Sequence, residues 1–187
     1  YNAHAAACDY YPYKICCKKY ADLFINQTSI SFNTTPYVGE TLGINITVWN
    51  IGEVNATNVN ISCYDNGEYF DSYLISLIEP DSSFQKPAYA YCELQTSCPV
   101  EHNISIKVDP ANLQPEYNEN NNFASKNITL KERLYITIDN PQDGASFYRG
   151  QTISLQSTVT DSCAPYPSDY TVNWYNESDL IGSGEDI

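Results

Sequence analysis

Cysteines are the residues in this sequence with the widest range of chemistry. Zinc sites need cysteines or histidines at close, repeated spacing, and no C-x-x-C occurs here. The two histidines, His4 and His102, stand alone, and the haem motif C-x-x-C-H is absent. Disulfide bonds are therefore the better interpretation, and they indicate an oxidising compartment. The seven candidates are Cys8, Cys16, Cys17, Cys63, Cys92, Cys98 and Cys163.

The odd number of cysteines leaves at least one thiol free or paired outside the chain. Cys92 and Cys98 are spaced to close a loop between two strands, and Cys63 is an alternative partner for either. Spacing alone does not decide between these connectivities.

Asparagine-linked glycosylation is the second modification that the sequence predicts. The 19 Asn and 30 Ser or Thr residues would give about three N-x-S/T tripeptides by chance, but eight occur. This excess predicts a secreted glycoprotein. The candidate glycan carriers are Asn26, Asn33, Asn45, Asn55, Asn60, Asn103, Asn127 and Asn176.

Oxygen-bearing side chains cluster between residues 109 and 119, in Asp109, Glu116, Asn118 and Glu119. Calcium takes about six to eight oxygen ligands from such loops, so these residues are a candidate calcium site. Asn and Asp also cap turns by bonding to the backbone, and we favour that interpretation.

Catalytic residues are not gathered into a recognisable constellation. A Ser-type triad needs a histidine base, but His102 adjoins the glycan candidate Asn103 at the start of a strand. No compact segment gathers acids around aromatics as a glycoside-cleaving pair would require. We therefore expect no enzymatic activity and, apart from calcium and N-linked glycans, no cofactor.

The net charge of −14 disfavours nucleic acid as a partner, because an acidic surface repels phosphate backbones. No run approaches the ~20 apolar residues of a membrane span.

The 17 tyrosines and an outward-facing Trp49 have two interpretations, and both stay open. They could form an interface for carbohydrate or protein, or they could pack against each other across neighbouring strands.

Apolar residues alternate with polar ones in four segments, which is the pattern of strands with one buried face. The segments are GINITVWN, NVNISCY, HNISIKV and NITL, and they predict that Val48, Ile61, Ile106 and Ile128 lie in a core. The sequon residues Asn45, Asn60, Asn103 and Asn127 fall on the opposite, polar face, where a glycan has room. Turn residues between the segments complete the pattern of a β-sandwich.

Residues 132–187 repeat this pattern in LYITI, a turn with a short edge strand in NPQDGASFYRG, QTISLQSTVTD, YTVNWYN and DLIGSG. Trp174 resembles the tryptophan that packs such cores, but the segment is about half as long as one sandwich. The prediction is an all-β chain of tandem immunoglobulin-like sandwiches, the second incomplete. Residues after Ile187, or a strand donated by another copy, would complete it, with the Cys- and Tyr-rich segment 1–20 as the candidate donor.

The stretch 21–131 resembles the CARDB module, a cell-adhesion-related domain of prokaryotic extracellular proteins. The resemblance rests on ADLFI, on PYVGETLGINITVWNIGEVNATNVNISCYDNGE, and on VDPANLQPEYNENNNFASKNITL. The family's acidic residue followed by Asn-Glu-x-Asn-Asn matches Glu116, Asn118, Glu119, Asn121 and Asn122. Cys63, Cys92, Cys98 and a stretched loop over 93–101 depart from the family pattern.

The resemblance implies a seven-stranded sandwich in a modular surface protein. We expect an extracellular structural glycoprotein of the cell surface, a subunit or module of a filament or surface layer. The alternative is an adhesion or binding module, or a spacer, of a larger multidomain secreted protein. The expected partners are other copies of the chain or adjoining surface-protein domains, with carbohydrate as a further candidate.

Overall fold

The computed structural model describes residues 18–81, 83–163 and 170–187. These residues form twelve β-strands and one 3₁₀-helical turn, Gln27–Ser29. Among the described residues there is no helix long and apolar enough to cross a membrane. The strands are β1 (Leu23–Phe24), β2 (Ile30–Phe32), β3 (Thr41–Asn50), β4 (Ala56–Asp65), β5 (Glu68–Ile78), β6 (Ala88–Gln95), β7 (Glu101–Val108), β8 (Phe123–Thr129), β9 (Tyr135–Asn140), β10 (Gln156–Thr160), β11 (Asn173–Asn176) and β12 (Asp179–Ser183).

The described part of the chain divides into two compact units. The first contains 18–33, 43–94 and 103–127, and the second contains 34–42, 95–102 and 128–187. Most of the length of the first eight strands lies in the first unit, and the last four strands lie in the second.

Two four-stranded sheets form the sandwich. In the first sheet, β1 and β2 pair with successive parts of β3, and β6 also pairs with β3. In the second sheet the order is β5-β4-β7-β8, with β4 antiparallel to both of its neighbours. The all-β, immunoglobulin-like prediction is confirmed.

The alternating residues of these strands form the core. Ile44, Ile46 and Val48 of β3 are fully buried, as are Ile61 of β4 and Ile106 of β7. The four predicted core residues are all buried, Ile128 included, so the predicted strand faces are correct. Burying one such side chain contributes about 1.5–3 kcal/mol, so this core carries much of the stability.

The alternation signal did not single out every strand. β5 carries large apolar side chains that are exposed, among them Tyr69, Leu74 and Leu77, so its sequence lacks a clean period of two. The predicted loop over 93–101 is shorter than expected, because β6 continues to Gln95 and β7 begins at Glu101. The loop therefore contains only 96–100.

Two disulfide bonds join described residues. Cys63 of β4 bonds to Cys92 of β6, which links the two sheets through a pair of fully buried side chains. Cys98 bonds to Cys163 within the second unit. Of the two pairings left open for Cys92, the one with Cys98 was wrong, because Cys92 faces the core and Cys98 is exposed beyond the strand. The alternative, Cys92 with Cys63, is the bond that the structure has. Cys8, Cys16 and Cys17 lie outside the described residues.

The second unit contains two separate two-stranded antiparallel sheets, β9 with β10 and β11 with β12. Trp174 is half-buried and donates its indole N–H to the Gly184 carbonyl at 2.8 Å, within its own hairpin. No strand forms over 141–150, where Pro141, Gly144 and Gly150 interrupt the chain, so the short edge strand expected there was wrong.

Apolar side chains among the described residues of 132–187 are largely exposed to water. Between 132 and 187, Val159 and Val172 are the buried apolar residues among those described. More than half of the side chain is exposed at each of Leu134, Ile136, Ile138, Leu180 and Ile181. The second immunoglobulin-like sandwich stays a prediction.

Replacing Ile106 by Asp should lower the free energy of unfolding by roughly 3–5 kcal/mol, because it buries an unpaired charge opposite Cys63. Ser76→Asp, at an exposed position of β5, is the matched control and should change it by about 0.5 kcal/mol or less. Urea denaturation measures both. A cooperatively folded Ile106→Asp protein of unchanged stability would contradict the register.

Cleavage after glutamate places the four bonded cysteines in separate peptides, 54–68, 80–93, 94–101 and 133–177. Without reduction, mass spectrometry should find 54–68 linked to 80–93, and 94–101 linked to 133–177. A species joining 80–93 to 94–101 would show that the described pairing is incorrect. Reduction before digestion is the control, and it should release all four peptides.

Candidate functional site

The eight sequon asparagines all lie at the surface. Seven are exposed, and Asn60, on the central strand β4, is half-buried. The four on the alternating strands point away from the core, because their neighbours in the strand fill it; they are Asn45, Asn60, Asn103 and Asn127. The predicted outward orientation of Asn45, Asn60, Asn103 and Asn127 is what the structure has.

Four of the sequon asparagines are in contact in pairs. Asn45 of β3 donates its side-chain N–H to the Oδ1 of Asn33, just beyond the end of β2. Asn103 of β7 donates its Nδ2–H to the Oδ1 of Asn127 on β8 at 2.6 Å. Reasoning from the sequence missed both contacts, since the partners are 12 and 24 residues apart and only the strand register brings them together.

The remaining sequons are separate. Asn26 is the N-cap of the 3₁₀ turn, where its Oδ1 accepts the backbone N–H groups of Thr28 at 2.9 Å and Ser29 at 3.2 Å. Asn55 and Asn176 are exposed, the first before β4 and the second at the end of β11.

The segment 116–122 binds the edge of β1. Tyr117 N–H donates to the Ala21 carbonyl, and Ile25 N–H donates to the Asn121 carbonyl, both at 3.0 Å. The Asn121 amide donates to the carboxylate of Asp22 at 2.8 Å. The Asn-rich motif therefore covers the strand edge that β3 does not pair with.

Glu116 is the half-buried carboxylate at the centre of this contact. It accepts the Leu23 backbone N–H at 2.5 Å and the Asn122 side-chain N–H at 3.0 Å. Burial raises the pKa of Glu116 to about 7. The hydrogen bonds from Leu23 and Asn122 each lower this pKa, and the nearby charges of Glu119 and Asp109 raise it further.

The other members of the predicted calcium cluster bond to backbone amides. Asp109 accepts Gln114 N–H at 2.7 Å, Asn118 accepts Asn120 N–H at 3.0 Å, and Glu119 accepts Glu116 N–H at 3.2 Å. These hydrogen bonds cap turns, which is the interpretation that we favoured over a calcium site. Among the residues that the structure describes, no three His, Cys, Asp or Glu side chains form a group able to hold a metal ion.

Trp49 faces outward from β3, as predicted, but other aromatic rings cover it. Phe24 and Phe84 lie 6.5 and 5.7 Å from Trp49, centroid to centroid, in tilted and edge-on arrangements.

The Asp81 carboxylate fixes the loop carrying Phe84 by accepting Ser83 Oγ–H and the N–H groups of Ser83, Gln85 and Lys86. The Ser83 hydroxyl bond is the main cause that lowers the pKa of Asp81 to about 2.

His102 is buried, and its Nε2 lies 3.0 Å from the Ser97 carbonyl oxygen. This contact is local, between the start of β7 and the loop that precedes it. His4 lies outside the described residues.

The architecture defines an immunoglobulin-like β-sandwich with a glycan-compatible outer surface. The CARDB family model matches residues 20–126, which is more than half of the chain, and the chain therefore belongs to the CARDB family. CARDB is a cell-adhesion-related module of extracellular proteins. A comparison with curated protein sequences found no significant match.

Solved structures share this fold. A crystal structure of a CARDB domain from Pyrococcus furiosus, in complex with di-metal ions, has a TM-score of 0.52 and 20% identity, covering 62% of this chain and 97% of that domain. A solution NMR structure of the Pyrococcus furiosus domain has a TM-score of 0.51 and 19% identity, covering 60% of this chain and 97% of that one. At this identity the likeness shows the fold alone.

Stability should fall as pH rises from about 4.5 to about 7, because folded Glu116 keeps a proton that the unfolded chain has lost. The difference in Tm, Glu116→Gln minus wild type, should therefore be larger at about pH 8 than at about pH 5. Thermal melts at both pH values measure it. Glu79→Gln, which removes a carboxylate at an exposed position, is the matched control. Equal differences for Glu116→Gln would refute the raised pKa.

Proposed function

We propose that this chain is a structural glycoprotein of the cell surface, a subunit or module of an extracellular filament or surface layer. The observation that carries the proposal is the placement of all eight sequons at the surface of a chain with a closed, disulfide-linked core. Glycans on both outer faces would shield the sandwich while its interior stays intact. The membership of a cell-adhesion-related extracellular family supports the same location.

The alternative is an adhesion or binding module, or a spacer, of a larger multidomain secreted protein. The exposed apolar residues of 132–187 support contact with a neighbour, because burying apolar surface favours association. Other copies of the chain and adjoining surface domains are the partners that we propose.

Sedimentation of the protein released from native cells separates the two proposals. A filament or layer subunit should sediment as a polymer under mild conditions and as a single chain in denaturant. A single chain under both conditions would contradict the filament proposal and favour the module or spacer.

Glycosylation is tested by mass. Residues 1–187, secreted by the native host, should be heavier than the 21.0 kDa of that polypeptide, and chemical deglycosylation should return the mass to that value. A native mass of 21.0 kDa before deglycosylation would contradict the glycoprotein proposal.

We assign Asp109, Glu116, Asn118 and Glu119 to holding the loop rather than to calcium, although the Pyrococcus domain was determined with di-metal ions. Each of the four already accepts an amide N–H, and that supports the assignment.

Calcium at about 10 mM, above the ~1 mM dissociation constants of weak extracellular sites, should leave Tm unchanged. Magnesium at the same concentration controls for ionic strength. A rise in Tm with calcium alone would contradict the assignment.

A further inference from the structure

The two asparagine pairs are held in place by their backbones. The Asn33 N–H donates to the Gly43 carbonyl at 3.1 Å. The Asn103 N–H donates to the Asn66 Oδ1 at 3.0 Å, and its carbonyl accepts the Asn66 N–H at 3.0 Å. The side chains of each pair therefore meet because of the fold and not by chance orientation of a loop.

The amide nitrogens in one pair are close together. Asn103 Nδ2 lies 2.6 Å from Asn127 Oδ1. Nitrogen and oxygen within one amide are separated by about 2.3 Å, so the two nitrogens of the pair lie within about 5 Å of each other. That distance is smaller than a hexose with its substituents, and the bond between Asn45 and Asn33 imposes the same closeness.

We infer that each pair, Asn33 with Asn45 and Asn103 with Asn127, acts as one glycosylation site that either member can fill. The inference rests on the proposed glycosylation. A first sugar on one member covers the amide of the other, so the summed occupancy of a pair does not exceed one. The eight sequons then carry at most six glycans.

The chemistry requires room at one nitrogen. The amide nitrogen forms a bond to the anomeric carbon of a glycosyl phosphate donor, while the bond from that carbon to the phosphate oxygen breaks. The phosphate leaves with the bonding electrons, and one amide proton passes to a base of the transferase. A sugar already attached to the neighbouring amide occupies the space through which donor and transferase must approach.

On each outer face of the sandwich, the pair provides a glycosylation site in which one asparagine can replace the other. Asn45 lies on β3 of the first sheet, and Asn103 and Asn127 lie on β7 and β8 of the second. Loss of one sequon in a pair leaves the number of glycans unchanged, whereas loss of an isolated sequon such as Asn55 lowers it by one.

The experiment uses Thr129→Ala in the full chain, produced in the native host. Thr129 is exposed, and its replacement removes the Asn127 sequon while the Asn127 side chain stays in contact with Asn103. Intact mass and peptide-level occupancy should show an unchanged glycan number, with Asn103 carrying the sugar. The matched control is Thr57→Ala, which removes the isolated Asn55 sequon at an exposed position and should lower the number by one.

Three results would overturn the inference. A summed occupancy above one in either pair of the wild type shows that both members are glycosylated together. Loss of one glycan in Thr129→Ala, as in Thr57→Ala, shows that Asn103 does not substitute for Asn127. Absence of all glycans from the wild type removes the proposed glycosylation and this inference with it, which distinguishes that failure from the other two.

Discussion

The face-to-face contact between the two sheets is the interaction on which the other features of the sandwich depend. Ile46 on the first sheet and Ile61 and Ile106 on the second are fully excluded from water. Because strand side chains alternate, each buried residue forces its neighbours outward. The surface positions of the four sequon asparagines on these strands, Asn45, Asn60, Asn103 and Asn127, follow from the burial of the residues beside them. The bond between Cys63 and Cys92 adds about 3–4 kcal/mol, on the loop-entropy model, to a contact that the apolar side chains already define.

The edge of β1 shows how the chain places a carboxylate where water is scarce. A two-residue strand has few backbone bonds of its own, and segment 116–122 supplies further ones. Glu116 ties this segment to Leu23, at the cost of partial burial beside other acids. In a chain with a net charge of −14, the fold buries this carboxylate and also places it beside like charges, and the raised pKa of Glu116 reflects the burial first and the charges second.

The sequence predicted the strands that bury one face and expose the other. It did not predict a strand that lacks this alternation. Ile104, Ile106 and Val108 alternate cleanly with polar residues, so β7 and its faces were predictable. β5 was not, because side chains such as Tyr73 and Leu74 are exposed on adjacent positions of an edge strand. The cysteine partners and the asparagine pairs depend on which strands lie side by side. No local pattern contains that information, and the same holds for the rings that cover Trp49.

The bond between Cys98 and Cys163 also affects how the chain would carry a load. The two residues are 65 positions apart, and the ring that they close contains β7, β8, β9 and β10. A pull applied before Cys98 and after Cys163 passes through the two sulfur atoms and leaves the strands in the ring without tension. Fully stretched, that length of chain would span roughly 220 Å. Under load, the chain therefore cannot lengthen by this amount while the bond is oxidised, and reduction would convert a short, stiff tether into a long, compliant one.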